Sequence, residues 1–222
     1  MLHKTRGIVF RFTKYGDTSI IVTIFTEVFG LQSYIVNGIR SKNAKSRIAL
    51  FQPLTLLDLV VYYREHAQIK RIKEVKCLYP YQFIQTDVRK SAIAMFINEL
   101  INKTVKEEAH AEELYEFIAT SLITLDGLRQ EIENVHLIFL IKLSRYLGFG
   151  VQYVAEVLGG RITNPTIEQI LKQLLTAEYD HHVMMTNDQR REILALLISF
   201  YKDHAGLHSE MKSIQVLREI LM

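Results

Sequence analysis

Between Thr5 and Glu74, apolar and polar positions alternate with a period of two. Ile20, Val22 and Ile24 oppose Ser19, Ile21, Thr23 and Phe25; Leu31, Ser33 and Ile35 oppose Gln32, Tyr34 and Val36. That period places successive side chains on opposite faces of a strand. It predicts five strands, over about 5–14, 18–26, 31–37, 52–63 and 67–76. Turns are expected at Tyr15-Gly16-Asp17, Phe29-Gly30 and Asn37-Gly38, because glycine and asparagine tolerate positive φ. Five short strands with one long charged connection suit the OB-fold, a partly open barrel that commonly holds oligonucleotides.

Near Pro80 the pattern changes to the helical period. Ile93, Phe96, Ile97, Leu100 and Ile101 form one wide apolar stripe. Further helices are expected over about 111–125 and 132–147, the latter stopped by Gly148. Thr166 with Gln169, and Thr186 with Gln189, fit the capping box and predict two more helix starts; a last helix spans about 213–221. The fold class expected is α+β in two domains: an N-terminal five-stranded OB-fold barrel over 1–80, followed by an all-α domain over 81–222.

Of the 222 residues, 49% are hydrophobic and 23% charged, which suits a globular chain that buries a core. The apolar runs are too short to cross a bilayer and the N-terminus lacks a signal-peptide core, so a cytoplasmic location and no membrane partner are expected. A single cysteine, Cys77, excludes an internal disulfide and a multi-cysteine zinc site, and is expected to be a buried thiol. Net charge is only +3, yet residues 1–80 hold 13 Lys and Arg against 5 Asp and Glu, while the remainder holds 14 against 19. The positive field therefore belongs to the β-rich part, which points to a polyanion there.

Candidate chemistry follows that field. After Asn37-Gly38 the chain carries Arg40, Lys42, Lys45 and Arg47 with no acid among them, a loop suited to phosphate contact, although runs of like charge are commonly only solvated. The fifth run adds Lys70, Arg71, Lys73 and Lys76; strict alternation places Arg71 and Lys73 on one face and Lys70 and Lys76 on the other. Arg71, Lys73, Arg6 and Arg11 join the candidate DNA-binding set, with Phe12 or Tyr34 as stacking platforms whose ordinary role is core packing. His204 and His208 have metal-ligand spacing, but Gly206 lies between them and no third ligand is near. Gly148-Phe149-Gly150 and Gly159-Gly160 lack the context of a phosphate loop. No nucleophile, acid–base pair or carboxylate cluster is recognisable, so a non-enzymatic protein without cofactor or metal is expected.

Gly38-Ile39-Arg40-Ser41-Lys42 followed by Leu50-Phe51-Gln52-Pro53-Leu54 resembles the "GARSK … ALQPF" pattern of the bacterial recombination mediator RecO family. Tyr15-Gly16-Asp17-Thr18-Ser19 is similar to its first turn, and Phe25-Thr26-Glu27 with Phe29-Gly30 to its "FTxxxG". Ile97-Asn98-Glu99-Leu100 resembles "INELL", and residues 143–150 resemble "LLxxLGYG". Met211-Lys212-Ser213 with Leu217-Arg218-Glu219 resembles "LKS … LRE". The resemblance implies an OB-fold and a helical domain, binding of single- and double-stranded DNA, and annealing of complementary strands. It also implies loading of RecA onto DNA coated with single-stranded-DNA-binding protein. The partners it implies are RecR and the acidic, apolar C-terminal tail of that binding protein, with a nucleoid-associated location. Lys142, Arg145 and Lys212 lie on or beside segments resembling the family and are candidate cations for the tail. Many relatives carry a four-cysteine zinc site after "LGYG"; residues 151–165 have no cysteine, so the zinc-free branch is the better comparison. The other readings are an OB-fold interaction scaffold that does not touch DNA, and a nuclease or other metal-dependent enzyme.

Overall fold

The computed structural model describes residues 1–39, 45–106 and 111–221. Five strands, β1 (Leu2–Tyr15), β2 (Ser19–Thr26), β3 (Gly30–Val36), β4 (Leu56–Tyr62) and β5 (Ile69–Tyr79), close into a barrel in the ring order β1-β2-β3-β5-β4. This is the OB-fold. All neighbours are antiparallel except β3 and β5, whose parallel pairing covers only Ser33 to Ile35 against Ile69 to Arg71. The long β1 serves two neighbours: residues 2–8 pair with β4 and residues 7–15 with β2, across a bulge between Val9 and Arg11. Leu54 N–H donates to the Val9 carbonyl there at 2.7 Å.

Alternation decides which side chains fill the barrel. Ile20, Val22 and Ile24 of β2, Tyr34 and Val36 of β3, and Leu57, Leu59 and Val61 of β4 form one cluster. Phe51 enters it from a 3₁₀ turn (Ala49–Phe51) that follows the short helix α1 (Lys45–Ile48). β4 consequently starts at Leu56, four residues later than the pattern implied. Pro53 and Leu54, the latter at φ 68°, redirect the chain after Phe51 is seated. At the β2–β3 turn, Gly30 takes φ 62°, and the Thr26 hydroxyl donates to its carbonyl at 2.9 Å while accepting from Phe29 N–H at 3.1 Å. That explains the spacing of Phe25-Thr26 and Gly30.

The helices are α2 (Val88–Thr104), α3 (Ala111–Gly127), α4 (Val135–Tyr146), α5 (Val154–Leu158), α6 (Pro165–Thr176), α7 (Asn187–Ala205) and α8 (Ser213–Leu221). Contacts divide the chain into two compact units, Met1–Tyr81 with Val105–Leu122, and Gln82–Thr104 with Ile123–Met222. Most of α3 therefore belongs with the barrel, although its periodicity reads like that of its helical neighbours.

In the second unit α4, buried along most of its length, is packed by α2, α6 and α7, and α2 also carries α8. The Asp126 carboxylate accepts from the N–H groups of Gln82, Phe83 and Ile84 at 2.8–2.9 Å, fixing the turn that leads towards α2. The Thr186–Gln189 capping box forms at both ends. The other capping assignment is corrected: Asn164, not Thr166, caps α6, accepting from Thr166 N–H at 2.9 Å, and Pro165 takes the first helical position that its fixed φ favours.

Candidate nucleic-acid interface

A cleft of about 590 Å³ opens on the barrel where loop 63–68, joining β4 to β5, faces the outer side of β1, β2 and β3. Arg11, Thr23 and Ser33 stand opposite one another in a single cross-strand row along one wall. Glu65, His66 and Gln68 come from the loop. The cleft is also lined by Phe29 and Tyr63, whose rings stack with centroids 4.0 Å apart and 13° between planes, held edge-on by His3.

Lys70 is buried at the inner end of the cleft. Its Nζ donates to Gln32 Oε1 at 2.6 Å and to the Ala67 carbonyl at 2.8 Å, and lies 5.1 Å from the Tyr63 ring centre. Both hydrogen-bond acceptors are neutral, so the ammonium is satisfied without being cancelled. Arg11 is exposed and forms no ion pair among the described residues. Two cations against the single acid Glu65, with neutral donors beside them, can hold a phosphate backbone in this cleft. The Phe29–Tyr63 pair, anchored on the interior cluster through Phe29, forms its apolar side.

The candidate residues named from sequence fall in different places. Arg40 and Lys42 lie outside the described residues, as does the Lys45 side chain. Arg47 is exposed on α1 without an ion partner among the described residues. Arg6 is committed elsewhere. Its guanidinium binds Glu27 through Nε at 2.9 Å and Nη2 at 2.6 Å, also engages Glu116, and covers the Tyr115 ring at 5.0 Å. The hydrogen bond from Arg6 holds the Glu27 carboxyl below its ordinary value against the opposing effect of burial. Arg6 ties α3 to the barrel and is left out of the interface.

Tyr34 and Phe12 are not stacking platforms. Tyr34 is fully buried, its phenol raised by burial and its hydroxyl without a partner, and Phe12 packs on the same interior cluster. The roles assigned to strand five also change. A bulge opposite Val60 and Val61 adds a residue to β5, so Ile72 and Val75 both face inward, and Lys76 returns to the outer side with Arg71. Lys73 sits in the bulge, 3.9 Å from Glu74. Cys77 follows at an exposed position, not a buried one.

In the second unit Lys142 pairs with Glu178 at 2.6 Å and lies over Tyr179, and the Arg145 guanidinium reaches the Leu175 carbonyl at 3.5 Å. Lys212 lies beside α2 instead, its backbone N–H donating to Glu99 at 3.1 Å. These three cations do not share one seat. His204 turns its Nδ1 to the Phe200 carbonyl at 2.9 Å and stacks on Phe149.

Loop 63–68, Phe29, Gln32 and Tyr63 were not singled out from sequence. The signal was available, because in an OB-fold the connection between the fourth and fifth strands lies beside the β2–β3 face.

Residues 1–81 match the family description Recombination protein O N terminal, and residues 85–171 match Recombination protein O C terminal. The chain belongs to the RecO family. It is 34% identical to the DNA repair protein RecO of Bacteroides fragilis, over 99% of both chains. It is 33% identical to that of Flavobacterium johnsoniae over 98% of both, and 32% identical to that of Phocaeicola vulgatus over 99% of both. The segments shared with the RecO pattern have structural roles here. Glu99 of "INEL" accepts from Lys212 N–H, Ser213 N–H and the Ser213 hydroxyl, so it caps α8 where the closing "MKS" segment begins. In "LGFG", Gly148 takes φ 85°, and a Cβ on Gly150 would stand 2.9 Å from Arg145 Cγ. Among the described residues no helix is long and apolar enough to cross a membrane.

Proposed function

We propose that this chain acts in DNA repair and recombination by binding single- and double-stranded DNA on its barrel and annealing complementary strands. With RecR, it assists the loading of RecA onto DNA coated with single-stranded-DNA-binding protein. The observation that carries the reading is the cleft beside loop 63–68. It is open, carries Arg11 and Lys70 against one acid, Glu65, and is walled by the Phe29–Tyr63 pair, on a barrel whose sequence holds a net +8 over residues 1–80. Family membership supports the partners. The second unit receives the protein partners, with Arg145 and Lys212 the exposed cations for an acidic tail and Lys142 already paired with Glu178.

The physical step is neutralisation. Cations replace condensed counterions along each backbone, so complementary strands approach while their base edges stay free. No covalent chemistry and no nucleotide cofactor enter this step. Fluorescence anisotropy and annealing of a labelled oligonucleotide pair test it. Arg11→Glu is expected to weaken single-strand binding about tenfold and slow annealing, with no effect of ATP on either protein. Unchanged affinity in Arg11→Glu, or annealing that requires ATP hydrolysis by this chain, contradicts the reading.

A further inference from the structure

The outer wall of β1, β4 and β5 carries residues that the cleft does not use. Register places Leu2, Tyr62 and Arg71 in one cross-strand row and Lys4, Val60 and Glu74 in the next. Tyr62 is 45% exposed, and Lys4, Arg71, Lys73 and Lys76 are exposed. The β5 bulge makes this wall, since without the extra residue Lys76 would share the inner side with Lys70. Acids cancel part of the charge: Glu74 meets Lys73, and Asp58 stands opposite Arg6 and Lys76. Lys4 and Arg71 keep no ion partner among the described residues, and Tyr62 shares their two rows.

In the closed ring β2 is two strands away from both β4 and β5, so the part of the cleft on β2 and the part of the wall on β4 face different ways. Arg71 stands beside Ile35, one row from Ser33 of the cleft. Tyr62 lies on β4, which is paired along both edges, so no peptide can add there as a further strand. An exposed ring beside unpaired cations suits stacked bases and phosphates instead.

We propose that this wall, centred on Tyr62 and Arg71, is a second nucleic-acid surface that holds the strand complementary to the one in the cleft. The inference rests on the DNA-binding reading and adds a separate site to it. Two strands held by their backbones on one barrel meet at high effective concentration, which is what annealing requires.

The test uses the full chain. One oligonucleotide is bound at one equivalent, and a second, non-complementary one with a different label is then titrated. The native chain is expected to hold both. Tyr62→Ala with Arg71→Ala is expected to keep first-strand affinity within about twofold, lose second-strand binding, and anneal about tenfold more slowly, given the usual contribution of one stacked base. Thermal melting checks that the variant is folded, and Lys4→Glu probes the same wall without removing a ring. The proposal is overturned if the native chain holds a single strand, or if both variants retain second-strand binding and the annealing rate. It is also overturned if they lose only the capture of an acidic peptide, which would assign the wall to a protein partner. A native chain that binds no oligonucleotide at all contradicts the underlying DNA-binding reading and removes the inference with it.

Discussion

Arg6 and Arg11 lie five residues apart on one strand, and their surroundings give them opposite roles. Arg6 meets two carboxylates and a tyrosine ring, while Arg11 faces an open cleft. Arg6→Ala leaves Glu27, with 19% of its side chain exposed, without a cation. The expected cost is about 2 kcal/mol by urea unfolding, less than for a fully buried pair because Arg6 keeps part of its surface in water. Glu27 has a depressed folded pKa, so its stabilisation is complete above the unfolded carboxylate value and is lost as pH falls through the folded one. Arg6→Ala should flatten that acid limb. His136 provides a second pH test. It is fully buried; burial, reinforced by the Arg190 charge, lowers its pKa from 6.5 to about 3 against a smaller opposing effect of the Glu133 backbone. The unfolded chain therefore binds this proton first on acidification. Stability should fall by about 1.4 kcal/mol per pH unit below about 6.5, and His136→Leu should remove that part of the slope, read from urea midpoints across pH. None of these roles was legible from residue type alone, because a cation's availability depends on neighbours far away in sequence: Glu116 lies 110 positions from Arg6.

At the scale of elements, hydrophobic period was a sufficient guide wherever the period was unbroken. β1, β2 and β3 and the longer helices occur where alternation or the helical stripe placed them. It failed where the backbone departs from a repeat. The β5 bulge shifts the side chains from Glu74 to Cys77 to the other face, until a second register shift before Tyr79, and nothing in Ile72-Lys73-Glu74-Val75 announces an inserted residue. β4 starts late because Phe51 is used to fill the barrel, and α6 is capped by Asn164 because an Asn-Pro pair can supply both the cap and the first helical position. The coupling of α2 to α8 was likewise hidden. Burial pushes the Glu99 carboxyl up, but its hydrogen bonds to Ser213, Lys212 and Lys103 outweigh this and leave it below the ordinary value. Glu99→Ala is expected to fray α8 at a cost of about 1–2 kcal/mol, typical of a lost cap. Limited proteolysis should then cut residues 206–221 sooner, while Glu99→Ala of unchanged stability and protection would show that the cap contributes nothing.

For the whole molecule, charge was the most informative sequence property. The surplus of Lys and Arg over residues 1–80 coincides with the barrel, and from the acid-rich remainder the fold brings Glu116 back to Arg6 beside Glu27. The interleaving of the two units was beyond a linear reading, since α3 looks like any amphipathic helix and only tertiary contacts assign residues 105–122 to the barrel. The position of the cleft follows from ring order, a long-range property, whereas its net sign was readable from composition. The central claim is that the barrel grips nucleic acid by releasing counterions from its backbone. Its most direct test is the salt dependence of single-stranded DNA affinity for the native chain and for Arg11→Ala with Arg47→Ala. If about four to six phosphates are neutralised, log K should fall against log salt with a slope of about −3 to −4, and the double variant should be shallower by about 1. A slope near zero, or one that the two substitutions leave unchanged, would contradict the account.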